Sequence, residues 1–424
     1  MSERREASLW KNMFMLIILM TGGALIYMLP YLRGYYYIPL MEALNFNNTQ
    51  IGNMAGVYGT TCIICYFFGG WLADRVSARK LLTISFVLTG LGGFYLATYP
   101  SYNMVLLLHV YWGITTILTF WAAFIKATRQ LAAMSEQGKA FGFLEGGRGI
   151  TYAIIMSIAL AVFAKMGSGI KALNAVIYFY SILVILIGIV SWFVFKDDND
   201  NVRTGSSLQD IVTVIKMPKV WLIALIIFCS YAAIIAHQYI APFTTQVWGG
   251  SVVLGAIMAI MASYVRPVAA IGAGFLGDKV GSSKIILYGF ILLLAGVLGL
   301  VFIPASRGLI YILVINLVVY YLAMYVVQGL HYALLEEGDI PLAISGTAIG
   351  VISTFGYFPE VLVPMLAGRL LDKFPGALGY KYFFGVLAVL LVVGFFITLY
   401  WMGVTKKKRL LILEAAAAQK AQAN

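Results

Sequence analysis

"GGWLADRVSARK", residues 69–80, is a short polar interlude carrying Asp74, Arg75, Arg79 and Lys80 between two long apolar runs. The runs on either side, near 50–73 and 80–99, each have the ~20 residues that cross a ~30 Å hydrocarbon core. So brief a connection between two such runs is a tight turn on one side of a bilayer. Its pattern returns weakly as "GAGFLGDKVGSSK", residues 272–284, which places Asp278 204 positions after Asp74. A second, ungapped match lays "GKAFGFLEGGRG" from Gly138 over "GTAIGVISTFGY" from Gly346. Two halves related in this way predict a membrane protein built from repeated bundles.

The rest of the chain agrees. Its 424 residues are 62% hydrophobic and 11% charged, with a mean hydropathy of +0.91, a composition for life in lipid. Twelve apolar runs recur, near 11–40, 50–73, 80–99, 103–127, 138–164, 172–195, 219–243, 251–276, 284–304, 308–334, 342–368 and 380–404. The longest polar interruption falls after the sixth, predicting an N-terminal six-helix bundle over 1–195, a linker over 196–218, a C-terminal bundle over 219–405 and a tail over 406–424. The net charge of +12 is best read as topology: with both termini cytoplasmic, most of the 29 Lys and Arg fall on the inner side. "SERREASLWK" leads into a first run too long for a cleaved signal, so that helix is expected to stay. Cys62, Cys65 and Cys229, all inside runs, imply no disulfide framework.

"GGWLADRVSARK" resembles the signature between spans 2 and 3 of the major facilitator superfamily, with Ser77 in place of the usual second glycine. The resemblance, carried over the whole chain by the motif, its echo, the twelve spans and the central loop, implies an all-α fold of two pseudo-symmetric six-helix bundles that work by alternating access. In that reading Gly70 lets helices approach closely, Asp74 faces a helix N-terminus, and Arg75, Arg79 and Lys80 bind headgroups or a carboxylate, together forming a cytoplasmic gate that Asp278 echoes in the second half. The plainer reading leaves the basic residues to set topology.

Charges within the spans need an account, since an arginine at mid-membrane costs about 2.5–3.5 kcal/mol on insertion scales. By helical rise, Arg148 lies about 15 Å from Gly138, and Arg33 and Arg266 each about 18 Å from a polar boundary, so all three approach the midplane. Arg148 belongs to "FGFLEGGRGITYAI", residues 141–154, where Glu145 sits three residues earlier on the same face. The pair reads either as a structural ion pair or as the wall of a site in which Glu145 orients Arg148 or takes up a proton. Three flanking glycines permit a bend or a close approach. Arg33 lies in "LPYLRGYYYIPL" between Pro30 and Pro39, with Tyr36 and Tyr37 one turn away and Tyr35 suited to an interfacial belt. Arg266 precedes Pro267, and Glu360 in "GYFPEVLVP" is its candidate partner. His237 falls 204 residues after Arg33, in the matching place of the second half, and Trp121 of span 4 is a further candidate for the cleft wall.

Within the superfamily the chain is similar to the organophosphate:phosphate antiporter and organic-anion symporter branches. Arg33 matches a basic residue those antiporters carry in span 1, and Arg148 falls at their span 5 histidine. At the second arginine, in span 7, this chain departs and has Ile234. The expected activity is therefore secondary transport of a small organic anion, a carboxylate, sulfonate or sugar phosphate, bound by arginine and coupled to protons or to a counter-anion. A multidrug exporter of cations would bury acids instead; the same scaffold could also serve a sugar exporter, an anion channel or a lipid flippase. No metal-spaced His/Cys cluster, nucleophile with its base, or nucleotide loop "GxxxxGK" appears, so no cofactor, metal, enzymatic activity or nucleic-acid partner is expected, and the chain is expected to work as a monomer.

Overall fold

The structure is a computed structural model and describes residues 12–131, 137–196, 208–341, 344–412 and 414, with the side chains of Asp74 and Asp278 outside that description. The described residues form helices joined by short turns, as lipid demands of the spanning parts: without water, backbone N–H and C=O groups must pair within the segment. Twelve spans can be followed among them. Spans 2 and 3 are Asn48–Arg75 and Ala78–Leu96, spans 5 and 6 are Gln137–Lys165 and Ile170–Val194, spans 8 and 9 are Val252–Val280 and Ser282–Phe302, and span 12 is Ala377–Val404.

The remaining five are interrupted. Span 1 is Met13–Leu25 followed, after turns, by Arg33–Leu44; span 4 is Tyr102–Gly113, a π segment Ile114–Leu118 and Trp121–Gln130. Span 7 is Pro218–Ala236, the 3-10 turn His237–Tyr239 and Ile240–Gln246; span 10 is Ile310–Leu330, the 3-10 turn His331–Ala333 and Leu334–Glu337; span 11 is Ser345–Gly356 and Pro359–Lys373. Broken helices in a membrane mark places where freed backbone groups are satisfied by side chains or line a polar site. In span 4 the cause is legible: Thr116 donates to the Trp112 carbonyl at 2.7 Å and Thr119 to that of Thr115 at 3.0 Å, capturing groups the wider π turn releases.

By packing, the chain divides into two compact units, Met1–Thr204 with Ser251–Tyr264, and Gly205–Gly250 with Val265–Asn424. The first half of span 8 thus packs with the first unit. Asn47, head of a formal glycosylation sequon, is occupied locally: its side chain accepts from the Gln50 N–H while Gln50 accepts from the Asn47 N–H, a capping box that opens span 2.

The glycine role assigned to Gly70 falls one residue earlier. A Cβ on Gly70 would meet nothing within 4 Å, whereas one on Gly69 would lie 3.4 Å from the Leu118 carbonyl and 3.5 Å from that of Ile117. The helical face turned to span 4 is that of Gly69, where the π segment presents its carbonyls. Around the turn, the Arg75 guanidinium lies 4.2 Å from the Trp71 ring centre and that of Arg79 4.1 Å from Trp192, with Arg79 also donating to the Trp192 carbonyl at 2.7 Å. Cations stacked on exposed indoles suit a membrane interface. Lys80 is exposed. Lys126 of span 4 donates to the Ala73 carbonyl at 2.8 Å and so closes the end of span 2.

In the second unit a buried carboxylate does the corresponding work. Glu337, at the end of span 10, accepts from the Ser283 N–H at the start of span 9 (2.9 Å) and from the Trp401 indole of span 12 (3.1 Å). The segment after span 12 docks beside it, Arg409 donating to Ser283 Oγ at 3.2 Å and Lys408 pairing with Asp339 at 2.6 Å. Hydrogen bonds to a buried charge contribute about 1.5–3 kcal/mol each, so Glu337→Ala is expected to lower the thermal midpoint of the detergent-solubilised protein by several degrees, with Asp339→Asn leaving it unchanged. Equal midpoints for the two variants would discount the Glu337 clasp. Lys408, by its hydrogen bond and then its charge, holds the Asp339 carboxyl below the ordinary carboxylate range. The folded value being the lower, this contact holds at neutral pH and is lost as the pH falls through it.

Candidate functional site

In the first unit two of the expected arginines are found in different settings. Arg148 of span 5 is held from three sides: its Nη1 pairs with Glu145 at 2.6 Å, its Nε donates to the Gly23 carbonyl at 3.2 Å, and its guanidinium lies over the rings of Phe124 (5.4 Å) and Trp121 (5.9 Å). Gly23 belongs to the last turn before the break in span 1, and Trp121 and Phe124 open the helix after the π segment of span 4. Two interrupted spans and span 5 therefore meet at this guanidinium. The Arg148 side chain is 13% exposed and that of Glu145 46%, so the guanidinium is largely covered while the carboxylate is exposed.

The break in span 1 leaves little latitude beside it. A Cβ on Gly23 would come within 2.8 Å of Phe124 and 3.1 Å of Arg148 Nε. Gly23→Val is expected to swing the guanidinium off its carbonyl and cut transport at least tenfold while the protein still inserts and folds; unaltered transport would show that the Gly23 contact does not position Arg148.

Arg33 is 1% exposed. It opens the second helix of span 1; its Nη1 donates to the Pro30 carbonyl at 3.3 Å and its guanidinium lies 5.6 Å from the Tyr31 ring centre, while Nε and Nη2 have no hydrogen-bond partner among the described residues. The neighbouring tyrosines diverge. Tyr36, at a kink (φ −119°, ψ 40°), packs its ring edge-on to Phe163 at 4.9 Å; Tyr37 donates to Asn48 Oδ1 at 3.0 Å, toward the start of span 2; Tyr35 lies 6.3 Å from Tyr152. All three tyrosines are buried, Tyr35 included, so it does not sit in an exposed interfacial belt.

A separate cleft of about 350 Å³ in this unit is walled by apolar side chains of span 5 and the first half of span 8, Leu160, Ile257 and Met261 among them, with a Ser157–Tyr264 hydrogen bond of 2.7 Å at its edge. Arg33 and Arg148 are not among its lining residues.

In the second unit, His237 forms the first residue of the 3-10 break in span 7, the place corresponding to the break that carries Arg33 in span 1. Its Nδ1 meets the Ile234 carbonyl, and its ring lies edge-on to Tyr321 at 6.4 Å. Arg266 lies over Tyr325 at 5.6 Å. Tyr321 and Tyr325 are one turn apart on span 10, so the two basic groups lean on successive rings of one helix face. Glu360, 6% exposed, stands in the first turn of Pro359–Lys373, where the helix dipole favours a carboxylate, and accepts from the Tyr231 hydroxyl at 3.0 Å.

Sequence reading missed Phe124 and the π segment, though "ITTILT", residues 114–119, places three threonines where a lipid-facing helix would carry none by preference. It also passed over Tyr231, Tyr332, Ser353 and Tyr357. Tyrosines in spans are too common to single out without knowing which hydroxyls meet.

Twelve spans in a repeated pattern, interrupted in spans 1, 4, 7, 10 and 11, with guanidinium groups held at or near several of the interruptions, define a polytopic membrane protein of transporter type. The family model of the Major Facilitator Superfamily matches residues 12–362, and the chain belongs to that superfamily. Two inner membrane proteins of Escherichia coli (strain K12) are similar over nearly the whole chain: YihN, 31% identical across 86% of this chain and 89% of its own, and YqcE, 31% identical across 88% and 90%. Among solved structures the fold is similar to a mutant of the nucleoside transporter NupG (TM-score 0.76, 14% identity, 92% of this chain and 99% of that one) and to a bacterial homologue of the human lysosomal transporter Spinster in an inward-facing, unoccupied conformation (0.72, 13%, 95% and 98%).

Proposed function

We propose that the chain is a secondary transporter that moves a small organic anion (a carboxylate, sulfonate or sugar phosphate) across the inner membrane by alternating access, with both termini in the cytoplasm and the monomer as the working unit. The observation that carries this reading is Arg33. Its buried guanidinium has two nitrogens without hydrogen-bond partners among the described residues and stands at a helix N-terminus, whose dipole adds to its positive field. An oxyanion answers both features, accepting the donors and neutralising the charge. Arg148, paired with Glu145, and Arg266 of the second unit supply further charge-assisted donors, with Trp121 on span 4 and His237 on span 7 as further site residues.

Coupling follows from the Arg148–Glu145 pair. With Glu145 ionised, the guanidinium is engaged; protonating the carboxyl releases it to substrate, so proton and anion would enter together. A carboxylate within a span is the usual group for such a relay. Asp74, Arg75, Arg79, Lys80 and Asp278 are assigned to a gate on the cytoplasmic side, and the Trp-stacked Arg75 and Arg79 around the turn between spans 2 and 3 support that reading. Export of cationic drugs fits less well, since it calls for unpaired acids where this chain has arginine.

Counterflow in proteoliposomes loaded with carboxylates, sulfonates or sugar phosphates tests the reading. Saturable exchange of at least one of these classes is expected, with none for organic cations; exchange of cations but of no anion would overturn it.

A further inference from the structure

The helix that follows span 12 is turned the wrong way round for water. After Val404 the chain makes one turn residue, Thr405, and continues as a helix over 406–412. Thr405 is buried; its hydroxyl donates to the Trp401 carbonyl at 2.8 Å and its carbonyl accepts from the Arg409 N–H at 3.0 Å, so the new helix begins where the span ends. At about 100° per residue, Lys408, Arg409 and Ile412 share one face and Lys406, Lys407, Leu410 and Leu411 the other.

The first face is docked on the second unit. Lys408 pairs with Asp339 at 2.6 Å, and Arg409 donates to Ser283 Oγ at 3.2 Å and to the Met402 carbonyl at 3.4 Å. The Arg409 stem passes so close to Gly281 that a Cβ there would come within 3.0 Å of it. The second face is open: both lysines are exposed, Leu410 is 47% exposed and Leu411 53%. A helix docked on a protein in water turns its apolar stripe inward and its charges outward. Here two cations are held inward on fixed partners and two leucines are left outside.

Setting the topology of the chain calls for positive charge alone, which accounts for the lysines and not for the leucines. A bilayer interface answers to both, with anionic headgroups for the cations and acyl chains for the apolar surface. The position agrees, since the helix starts at the mouth of a membrane span. Exposed Lys279 and Lys284 flank the turn on which Arg409 docks and add to the positive field, while exposed Glu414 lies past the leucines.

We propose that residues 406–412 form an interfacial helix that binds anionic phospholipid, Lys406 and Lys407 engaging the headgroups and Leu410 and Leu411 entering the acyl-chain boundary. The helix is present whatever the substrate, so its lipid contact is independent of the anion reading above.

The test uses the full chain in nanodiscs, with Cys62, Cys65 and Cys229 replaced and a bimane label on Leu411→Cys. Quenching is compared between phosphatidylglycerol and phosphatidylcholine, each brominated on the acyl chain and present at the same fraction of a phosphatidylcholine bilayer. One lysine at an anionic surface raises partition about fivefold. The phosphatidylglycerol is therefore expected to quench at least threefold more strongly, with the difference collapsing at about 1 M salt. In Lys406→Gln/Lys407→Gln the two lipids should quench alike. A label on Val389→Cys, an exposed position within span 12, should be quenched equally by both lipids in either background, which verifies insertion. With that control in place, a Leu411 label quenched by neither lipid, equal quenching by the two in the parent protein, or a preference that survives loss of both lysines would overturn the proposal.

Discussion

Replacing Arg33 with methionine is expected to cut anion counterflow by about thirtyfold or more while raising the thermal midpoint of the purified protein. The two effects have one cause. Arg33 is 1% exposed, and its Nε and Nη2 lack hydrogen-bond partners among the described residues, so its buried charge is repaid only in part, by the Pro30 carbonyl and the Tyr31 ring. An apolar side chain of similar length removes that cost. Loss of a buried charge-assisted contact to substrate runs to about 2–5 kcal/mol, and each 1.4 kcal/mol is tenfold in affinity, which sets the size of the functional loss. A residue that merely packs would behave oppositely, losing stability and sparing transport. Melting curves and counterflow on the same preparation separate the two, and a variant that melts lower yet still exchanges would remove Arg33 from the site.

Glu145→Gln is expected to end proton-driven uptake, at least tenfold down, while counterflow at equal pH continues. The carboxyl pairs with Arg148 at 2.6 Å but is 46% exposed, so the amide costs little fold stability. What it removes is the ability to exchange a proton for the guanidinium's attention. Loss of uptake and counterflow together would reduce Glu145 to an orienting group, and survival of both would leave coupling to anion exchange.

The fold was legible because lipid simplifies the code: a run of ~20 apolar residues has one stable answer, and "GGWLADRVSARK" with its echo fixed the order in which twelve such runs are joined. Interruptions were harder to see. Pro30 and Pro39 flagged span 1, but the π segment of span 4 contains no proline, and spans 7 and 10 break at His237 and His331, residues that signal nothing about backbone on their own. The gate glycine moved from Gly70 to Gly69 because a one-residue shift turns a helix by about 100°, which a motif cannot resolve. The Arg148–Glu145 pair followed directly from spacing, since i, i+3 neighbours share a face. The contacts of Tyr332 with Ser353 and Tyr357 did not, because they join spans 10 and 11 across separate helices, and no local pattern records such a meeting. Where Glu360 points was likewise invisible: its partner Tyr231 is a span 7 residue with no marking of its own.

The central claim for Arg148 and Arg266 is that they face water and attract anions. It is tested most directly by Arg148→Cys and Arg266→Cys in a protein whose Cys62, Cys65 and Cys229 have been replaced, labelled in membranes with a sulfonated methanethiosulfonate, its cationic counterpart, and a lipophilic maleimide. The account predicts that both positions react with the two water-soluble reagents and that a transported anion protects them. Labelling by the lipophilic reagent with neither of the charged ones would place these side chains against acyl chains and contradict it.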